Sequence, residues 1–362
     1  MPGFLPFRRR RTTVSRDEAV VFYPSFGYRE DGAWTLVVQG CVYHPRITWL
    51  RRKPVLAVIR RAMRVDRMGV PHFQQRMRQF LVHFAPGRWI SVQAGLQEAL
   101  LGPSEAVGLF RGVLTVPAGE LTCEPEPTTP VTTWATYRAV LPPEDSREFI
   151  GRVQLLPETG LSIISDVDDT LKHSNVPNRR DLFHNTFSRE FVPIPGMPEL
   201  YRECAALGAA FHYVSGSPWQ LYEPLAEFWI SQGYPLGSFH LKRFRLRETA
   251  RKLRTMSPQK AHKLAAIEPI LQAFPHRSFV LIGDSGEQDP EIYGRILSER
   301  PEQVRHVFIR AVRGVDVDRP RVAAAFAHCP ADRWTLYESP EEMAAPLLQI
   351  AELEAGNAAT PR

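Results

Sequence analysis

Two carboxylates one residue apart, Asp166 and Asp168, follow the apolar run 161-LSIIS-165. Where a chain leaves a sheet, such a pair can face one phosphorus centre: one carboxylate attacks and the other handles a proton. Three further positions complete a set. Ser215-Gly216-Ser217 closes the run 211-FHYVS-215 and offers hydroxyls and backbone N–H groups to a phosphoryl oxygen. A lysine within 258-PQKAHKL-264, either Lys260 or Lys263, supplies a cation, with Lys263 favoured. The segment from Gly283 through Asp284 and Glu287 to Asp289 follows 278-SFVLI-282 and carries acidic side chains suited to a hard divalent ion. Nucleophile, phosphate donors, cation and metal ligands are the parts of phosphoryl transfer, where catalysis is chiefly positioning and charge neutralisation.

For these residues to meet, strand ends must converge. After Pro157, strand-like runs at 161–165, 211–215, 238–242, 278–283, 306–312 and 334–337 alternate with helical stretches near 197–207, 219–232, 259–273, 291–299 and 341–353. That alternation predicts an α/β fold with a doubly wound parallel sheet, whose ligand site lies at the carboxyl ends of its strands. Upstream, short β-rich runs such as 34-WTLVVQGCVY-43, 107-VGLFRGVLTVP-117 and 131-VTTWATYRAVL-141 predict a small sandwich-like domain. Residues 55–84 have helical periodicity and read as an insertion in it. The expected organisation is a basic flexible tail over 1–30, a β-rich N-terminal domain over 31–156, a catalytic domain over 157–354 and a flexible tail over 355–362.

The 362 residues carry a net charge of +6, with 17 Lys/Arg against 6 Asp/Glu in the first hundred. The basic front end suits an anionic surface, although a solvated basic face is the commoner meaning of such an excess. Phe4, Leu5 and Phe7 beside Arg8 to Arg11 could touch a bilayer. The cluster Lys242, Arg243, Arg245, Arg247, Arg251, Lys252 and Arg254 could do the same beside the site. Four scattered cysteines give neither a disulfide framework nor a zinc knuckle and favour a cytoplasmic compartment. No apolar run approaches the roughly 18 residues of a membrane span, and no stretch of signal-peptide length follows the N-terminal arginines.

The four motifs, in this order, resemble those of the haloacid dehalogenase superfamily. More narrowly, 165-SDVDDTLKHSNV-176, 194-IPGMPELY-201, 213-YVSGSPWQLY-222, 262-HK-263 and 279-FVLIGDSGEQDPEIY-293 resemble the phosphatidate phosphatase catalytic domain typified by the fungal actin-patch enzyme and found in many bacterial proteins. The resemblance implies a Rossmann-like parallel sheet with a small cap insertion near 171–193. It implies a Mg2+-dependent hydrolysis of phosphatidic acid to diacylglycerol and phosphate through an aspartyl-phosphate. Asp166 would be nucleophile and metal ligand. Asp168 would be general acid/base and would add a backbone carbonyl to the metal. Thr170 would orient the loop, Ser215, Gly216 and Ser217 would hold the phosphoryl group, Lys263 would complete the catalytic set, and Asp284 and Asp289 would serve the metal.

Plainer readings compete with each part. Asp166 and Asp168 could cap a surface turn. Gly283-Asp284-Ser285-Gly286 echoes a serine-protease signature, but its α/β surroundings and the lack of a matching histidine motif argue against that chemistry. His173 and His184 read as surface histidines. Two other functions stand beside lipid hydrolysis at a peripheral membrane surface: a soluble phosphomonoesterase acting on a nucleotide, sugar phosphate or nucleic-acid end, and a membrane- or partner-binding module with secondary catalysis. A stable nucleic-acid partner is not expected, and the sequence sets no oligomeric state.

Overall fold

The computed structural model describes residues 12–45, 56–58, 60, 61, 64–66, 68–126, 129–243, 258–312 and 318–359. Phe4 to Arg11 and the basic residues from Arg245 to Arg254 lie outside the described residues. The chain forms two compact units: Met1–Ile47, Val82–Glu124 and Trp134–Leu155 in one, Thr48–Leu81, Pro125–Thr133 and Leu156–Arg362 in the other.

The first unit is β-rich, as expected. The strands up to residue 155, of which the end of β8 and the start of β9 fall in Pro125–Thr133, are β1 (Ala19–Phe22), β2 (Ser25–Glu30), β3 (Ala33–His44), β4 (His83–Phe84), β5 (Ile90–Ala94), β6 (Gln97–Leu101), β7 (Leu109–Pro117), β8 (Cys123–Glu126), β9 (Thr129–Val140) and β10 (Ile150–Leu155). They form one hydrogen-bonded sheet in the order β1-β3-β2-β10-β9-β5-β6, with β4 and β7 also pairing β3 and β8 pairing β9. Alternate side chains of these strands, among them Val20, Phe22, Leu36, Val38, Ile90, Val92 and Val153, bury together in one apolar cluster. Residues 19–30 therefore depart from the expected flexible tail: Val20 and Phe22 are needed by this core, and β1 and β2 pair with β3.

The second unit holds an all-parallel six-stranded sheet ordered β13-β12-β11-β14-β15-β16, from β11 (Leu161–Ser165), β12 (Ala210–Pro218), β13 (Ser238–Lys242), β14 (Ser278–Asp284), β15 (Val304–Arg310) and β16 (Trp334–Tyr337). Every residue of β11 and β14 is buried, as required of central strands covered on both faces. The chain runs outward from β11 through β12 to β13, then returns to the other side of β11 and runs out through β14 to β16. The reversal falls beside β11, so the carboxyl ends of β12, β11 and β14 meet at a topological switch point.

The helices of this unit are α1 (Val70–Phe80), α2 (Arg179–Phe187), α3 (Met197–Ala206), α4 (Tyr222–Gln232), α5 (Pro258–Ala273), α6 (Asp289–Glu299), α7 (Arg319–Ala325) and α8 (Pro340–Ala359). Two differ from expectation. Helix α1, read from the sequence as an insertion in the β-rich domain, belongs to the second unit, because Phe73 and Arg76 bury there. Helix α8 continues through residues 355–359, with the good helix formers Glu354 and Ala355 carrying it beyond the expected end. Among the described residues no helix is long and apolar enough to cross a membrane.

His212, inside β12, is completely buried and its Nδ1 lies 2.7 Å from the Ser238 hydroxyl. Burial, with the nearby Arg277 guanidinium, pushes its pKa from the ordinary 6.5 down to about 3. The unfolded chain therefore takes up a proton that the folded chain refuses, and stability is lost as pH falls from about 6.5 toward 3. Unfolding at stepped pH is expected to lose up to about 1.4 kcal/mol per pH unit over that window from this one residue. The slope should flatten in His212→Asn; an unchanged slope would remove His212 as its source.

Candidate active site

The Asp166 N–H donates to the Ile282 carbonyl (2.8 Å), which fixes the end of β11 against β14 and sets Asp166 beside Asp284. Both aspartates are fully buried. On the other flank the paired β12 brings Ser215 to the same end. The expected site residues Asp166, Thr170, Lys263, Asp284 and Asp289 thus converge, although they are spread over more than 120 positions of sequence.

Lys263 sits at the centre, 1% exposed. Its Nζ lies 2.7 Å from Asp166 Oδ1, 2.5 Å from Asp289 Oδ1 and 3.3 Å from a Glu287 oxygen. Of the two lysines open at the sequence level, Lys263 is the one at the site; the side chain of Lys260 lies outside the described residues. Carboxylate oxygens of Asp166, Asp284 and Asp289 all lie within 4.8 Å of one another. Thr170 Oγ1 approaches Asp166 Oδ2 at 3.4 Å.

Among the described residues, the Lys263 ammonium thus contacts the carboxylates of Asp166, Glu287 and Asp289, and Asp284 lies beside Asp166 and Asp289. Burial, only partly offset by Lys263, pushes Asp166 well above the usual carboxylate range; burial and the neighbouring Asp289 and Asp166 do the same to Asp284. Burial likewise raises Glu287. At 4–5 Å each like-charge pair costs roughly 3–4 kcal/mol at an effective dielectric of about 20. Asp284 Oδ1 accepts the N–H groups of Gly286 (2.6 Å) and Glu287 (3.2 Å), but buried Oδ2 has no hydrogen-bond partner among the described residues. An unpartnered buried oxygen within an excess of carboxylates is a donor set that fits a hard divalent cation.

Asp168 points elsewhere. Its Oδ1 meets Lys172 Nζ (2.8 Å) and the Ser174 hydroxyl (2.6 Å), and its Oδ2 accepts the hydroxyls of Ser215 (3.1 Å) and Ser217 (2.7 Å). Burial alone would raise its pKa, but Lys172 and these hydrogen bonds overcome it and hold the group well below the usual range. Its carboxylate is not one of the three clustered groups, so the metal contribution assigned to it by resemblance rests on its backbone carbonyl alone. Gly216 continues β12 between the two serines, and Ser217 N–H donates to Ser215 Oγ at 2.9 Å.

Several supporting residues had no distinguishing sequence signal. Asp169, at φ +58°, folds the loop back by accepting the N–H groups of Ser174, Asn175 and Val176, while buried Arg310 donates to its carbonyl. Arg321 grips the Glu291 carboxylate with Nε and Nη2 and donates to the Ser285 and Glu287 carbonyls, clamping the acidic loop from outside. Gly283 is required by close approach: a Cβ there would run into the Asp289 carboxylate and the Tyr293 ring. The basic cluster is represented by Lys242 and Arg243; Lys242 is half-buried and feels the charge of Glu287. His184 is buried with Nδ1 2.9 Å from Ser188 Oγ, and His173 is exposed.

Residues 161–311 match the sequence family described as "Phosphatidate phosphatase APP1, catalytic domain". That segment is similar to the catalytic domain of phosphatidate phosphatases. Phosphatidate phosphatase APP1 of Saccharomyces cerevisiae is 34% identical over 166 residues, covering 44% of this chain and 27% of its own length. An uncharacterized protein of Schizosaccharomyces pombe is 32% identical over 170 residues, covering 46% of this chain and 27% of its own. The chain thus matches about a quarter of the length of either fungal relative. Among solved structures, the PilB minor pilin from Streptococcus sanguinis aligns with 75% of this chain and 87% of its own at a TM-score of 0.28 and 9% identity, a likeness that carries nothing about this site.

The charge imbalance has an opposite signature for its two signs. In metal-free protein, Asp284→Asn is expected to raise the thermal unfolding midpoint, since it removes a repelling buried carboxylate. Lys263→Met is expected to lower it, by the equivalent of about 3–5 kcal/mol. Midpoints moving the other way would show that the carboxylates are not in mutual repulsion.

Proposed function

We propose that this protein is a Mg2+-dependent phosphatase of the haloacid dehalogenase type that hydrolyses phosphatidic acid to diacylglycerol and phosphate. The carrying observation is the buried, switch-point cluster in which Asp166, Asp284 and Asp289 outnumber Lys263. The similarity over 161–311 to a phosphatidate phosphatase catalytic domain supports the substrate, a phosphate monoester of a lipid.

In this reading an Asp166 oxygen attacks the phosphorus while the bond from phosphorus to the glycerol oxygen breaks, and that oxygen takes a proton from Asp168. Water then attacks the phosphorus of the aspartyl-phosphate, gives its proton to Asp168, and releases phosphate as the bond to Asp166 breaks. Ser215 and Ser217, which donate to Asp168 in this structure, turn their hydroxyls to the phosphoryl oxygens when substrate enters. Losing those two donors relaxes the hold on the Asp168 anion and favours its protonated, acid form. Lys263 neutralises charge on the nucleophile and the phosphoryl group. Asp166, Asp284 and Asp289 would hold a magnesium ion, which when bound supplies further neutralisation of the equatorial oxygens. Segment 171–193, with α2, serves as the small cap over this opening. The protein works in the cytoplasm at an anionic membrane surface, with Lys242 and Arg243 on the side from which headgroups approach.

Phosphate release from phosphatidate in mixed micelles should exceed that from a panel of soluble monoesters, stop on chelation and return with Mg2+. Asp166→Asn should lose roughly 10,000-fold or more in kcat. A preference for soluble esters would replace the lipid reading by the general phosphomonoesterase, and full activity of Asp166→Asn would end the covalent mechanism.

A further inference from the structure

The donors that hold Asp168 are themselves held by a helix from outside the matched segment. Lys172, 1% exposed, reaches Asp168 Oδ1 with its ammonium and lies 4.8 Å from the centre of the Phe191 ring. Arg76 of α1 lies over the same ring, its guanidinium carbon 3.6 Å from the centre. Phe191 is thus in contact with two cations, Lys172 and Arg76, and through them joins the catalytic loop to α1.

Arg76 is no loose surface charge. It is 4% exposed, and its Nη1 donates to the carbonyls of Thr186 (2.9 Å) and Arg189 (2.7 Å), the turn that ends α2 and leads into Phe191. A buried guanidinium is retained only where such partners compensate its desolvation. The rest of α1 fits the same seat. Gly69 packs so closely on Ser188 that a Cβ would overlap the Ser188 carbonyl. Phe73 meets Phe183 (6.4 Å between centroids), Phe80 meets Phe187 (5.4 Å), and Gln75 and Gln79 donate to Glu227 and Glu223 of α4. All of these partners lie in the second unit.

We propose that α1 completes the catalytic unit and that Arg76 is a positioning residue: through Phe191 and Lys172 it fixes the orientation of the Asp168 carboxylate. The inference rests on the phosphatase reading for its kinetic consequence, but the physical link from Arg76 to Lys172 stands apart from it. Removing the guanidinium frees the 186–191 turn and the Phe191 ring, and Lys172 loses the surface that aims it. A shift of about 1 Å at a reacting group remote from a mutation can cost up to about 100-fold in rate.

The test uses the full chain with Arg76→Gln, Arg76→Lys, Lys172→Met and the double variant Arg76→Gln/Lys172→Met. It reads kcat and KM for phosphate release from phosphatidate in mixed micelles and from p-nitrophenyl phosphate, together with amide exchange over 171–193. Arg76→Gln should lower kcat about 10- to 100-fold on both substrates with KM little changed, and exchange at Lys172 and Ser174 should speed up. Arg76→Lys should recover part of the rate. The double variant should be no slower than Lys172→Met alone, because both changes break one chain of contacts. Gln79→Ala on the same helix should leave kcat as in the wild type. A lowered unfolding midpoint with unchanged kcat, or single effects that multiply in the double variant, would overturn the inference and leave α1 a packing helix. If Arg76→Gln does not fold, Phe191→Leu keeps the apolar burial and removes the ring: loss of kcat supports the link and normal kcat overturns it. A wild type that releases no phosphate would sink the phosphatase reading, whereas the exchange comparison would still decide whether Arg76 holds Lys172.

Discussion

Electrostatic frustration at one point organises this protein: the buried carboxylates of Asp166, Asp284 and Asp289 lie together, with the buried ammonium of Lys263 against Asp166 and Asp289. Such an arrangement opposes folding, since each buried carboxylate must shed water without a full partner. It persists because the parallel sheet brings the ends of β11 and β14 together whatever side chains they carry, and because the loops after them are held from outside. Arg321 clamps the acidic loop and Asp169 closes the loop that follows Asp166. Strain of this kind is expected where a ligand relieves it, as the proposed divalent cation and phosphoryl group would.

The two aspartates that look alike in sequence have been given opposite surroundings. Asp166 is buried among like charges and raised, whereas Asp168 is saturated by Lys172, Ser174, Ser215 and Ser217 and lowered. Environments that push paired carboxylates apart are how one pair divides the work of nucleophile and proton carrier. The serines that hydrogen-bond Asp168 end the strand beside it, so a phosphoryl group bound there, as proposed, would draw on the same donors that hold the Asp168 anion.

Much of this was legible in the sequence because it depends on local patterns. The runs at Leu161, Phe211, Ser238, Ser278 and Trp334 are short, apolar and bounded by turn residues, and each became a strand of the parallel sheet. The ends of three of them carried Asp166, Ser215 and Asp284. Lys263 and Lys260 could not be told apart by spacing alone, since the choice is made by which face of α5 meets the sheet. Arg321, Asp169 and Lys172 were hidden for a related reason: an arginine that clamps carbonyls or a lysine buried against a phenylalanine has the composition of a surface residue. The docking of α1 was harder still. Its periodicity at Phe73, Met77 and Phe80 announced a helix with one apolar face, but amphipathicity says that a face is buried and not what buries it. Strands β1 and β2 were short enough, and near enough to a basic stretch, to read as tail.

If the carboxylate excess is a metal site, as proposed, the protein binds Mg2+ by itself. Calorimetric titration of Mg2+ into the metal-free protein measures this without any substrate. One saturable site per chain, abolished by Asp284→Asn, is the predicted result; heat indistinguishable from dilution in the wild type, or binding that Asp284→Asn leaves intact, would contradict it.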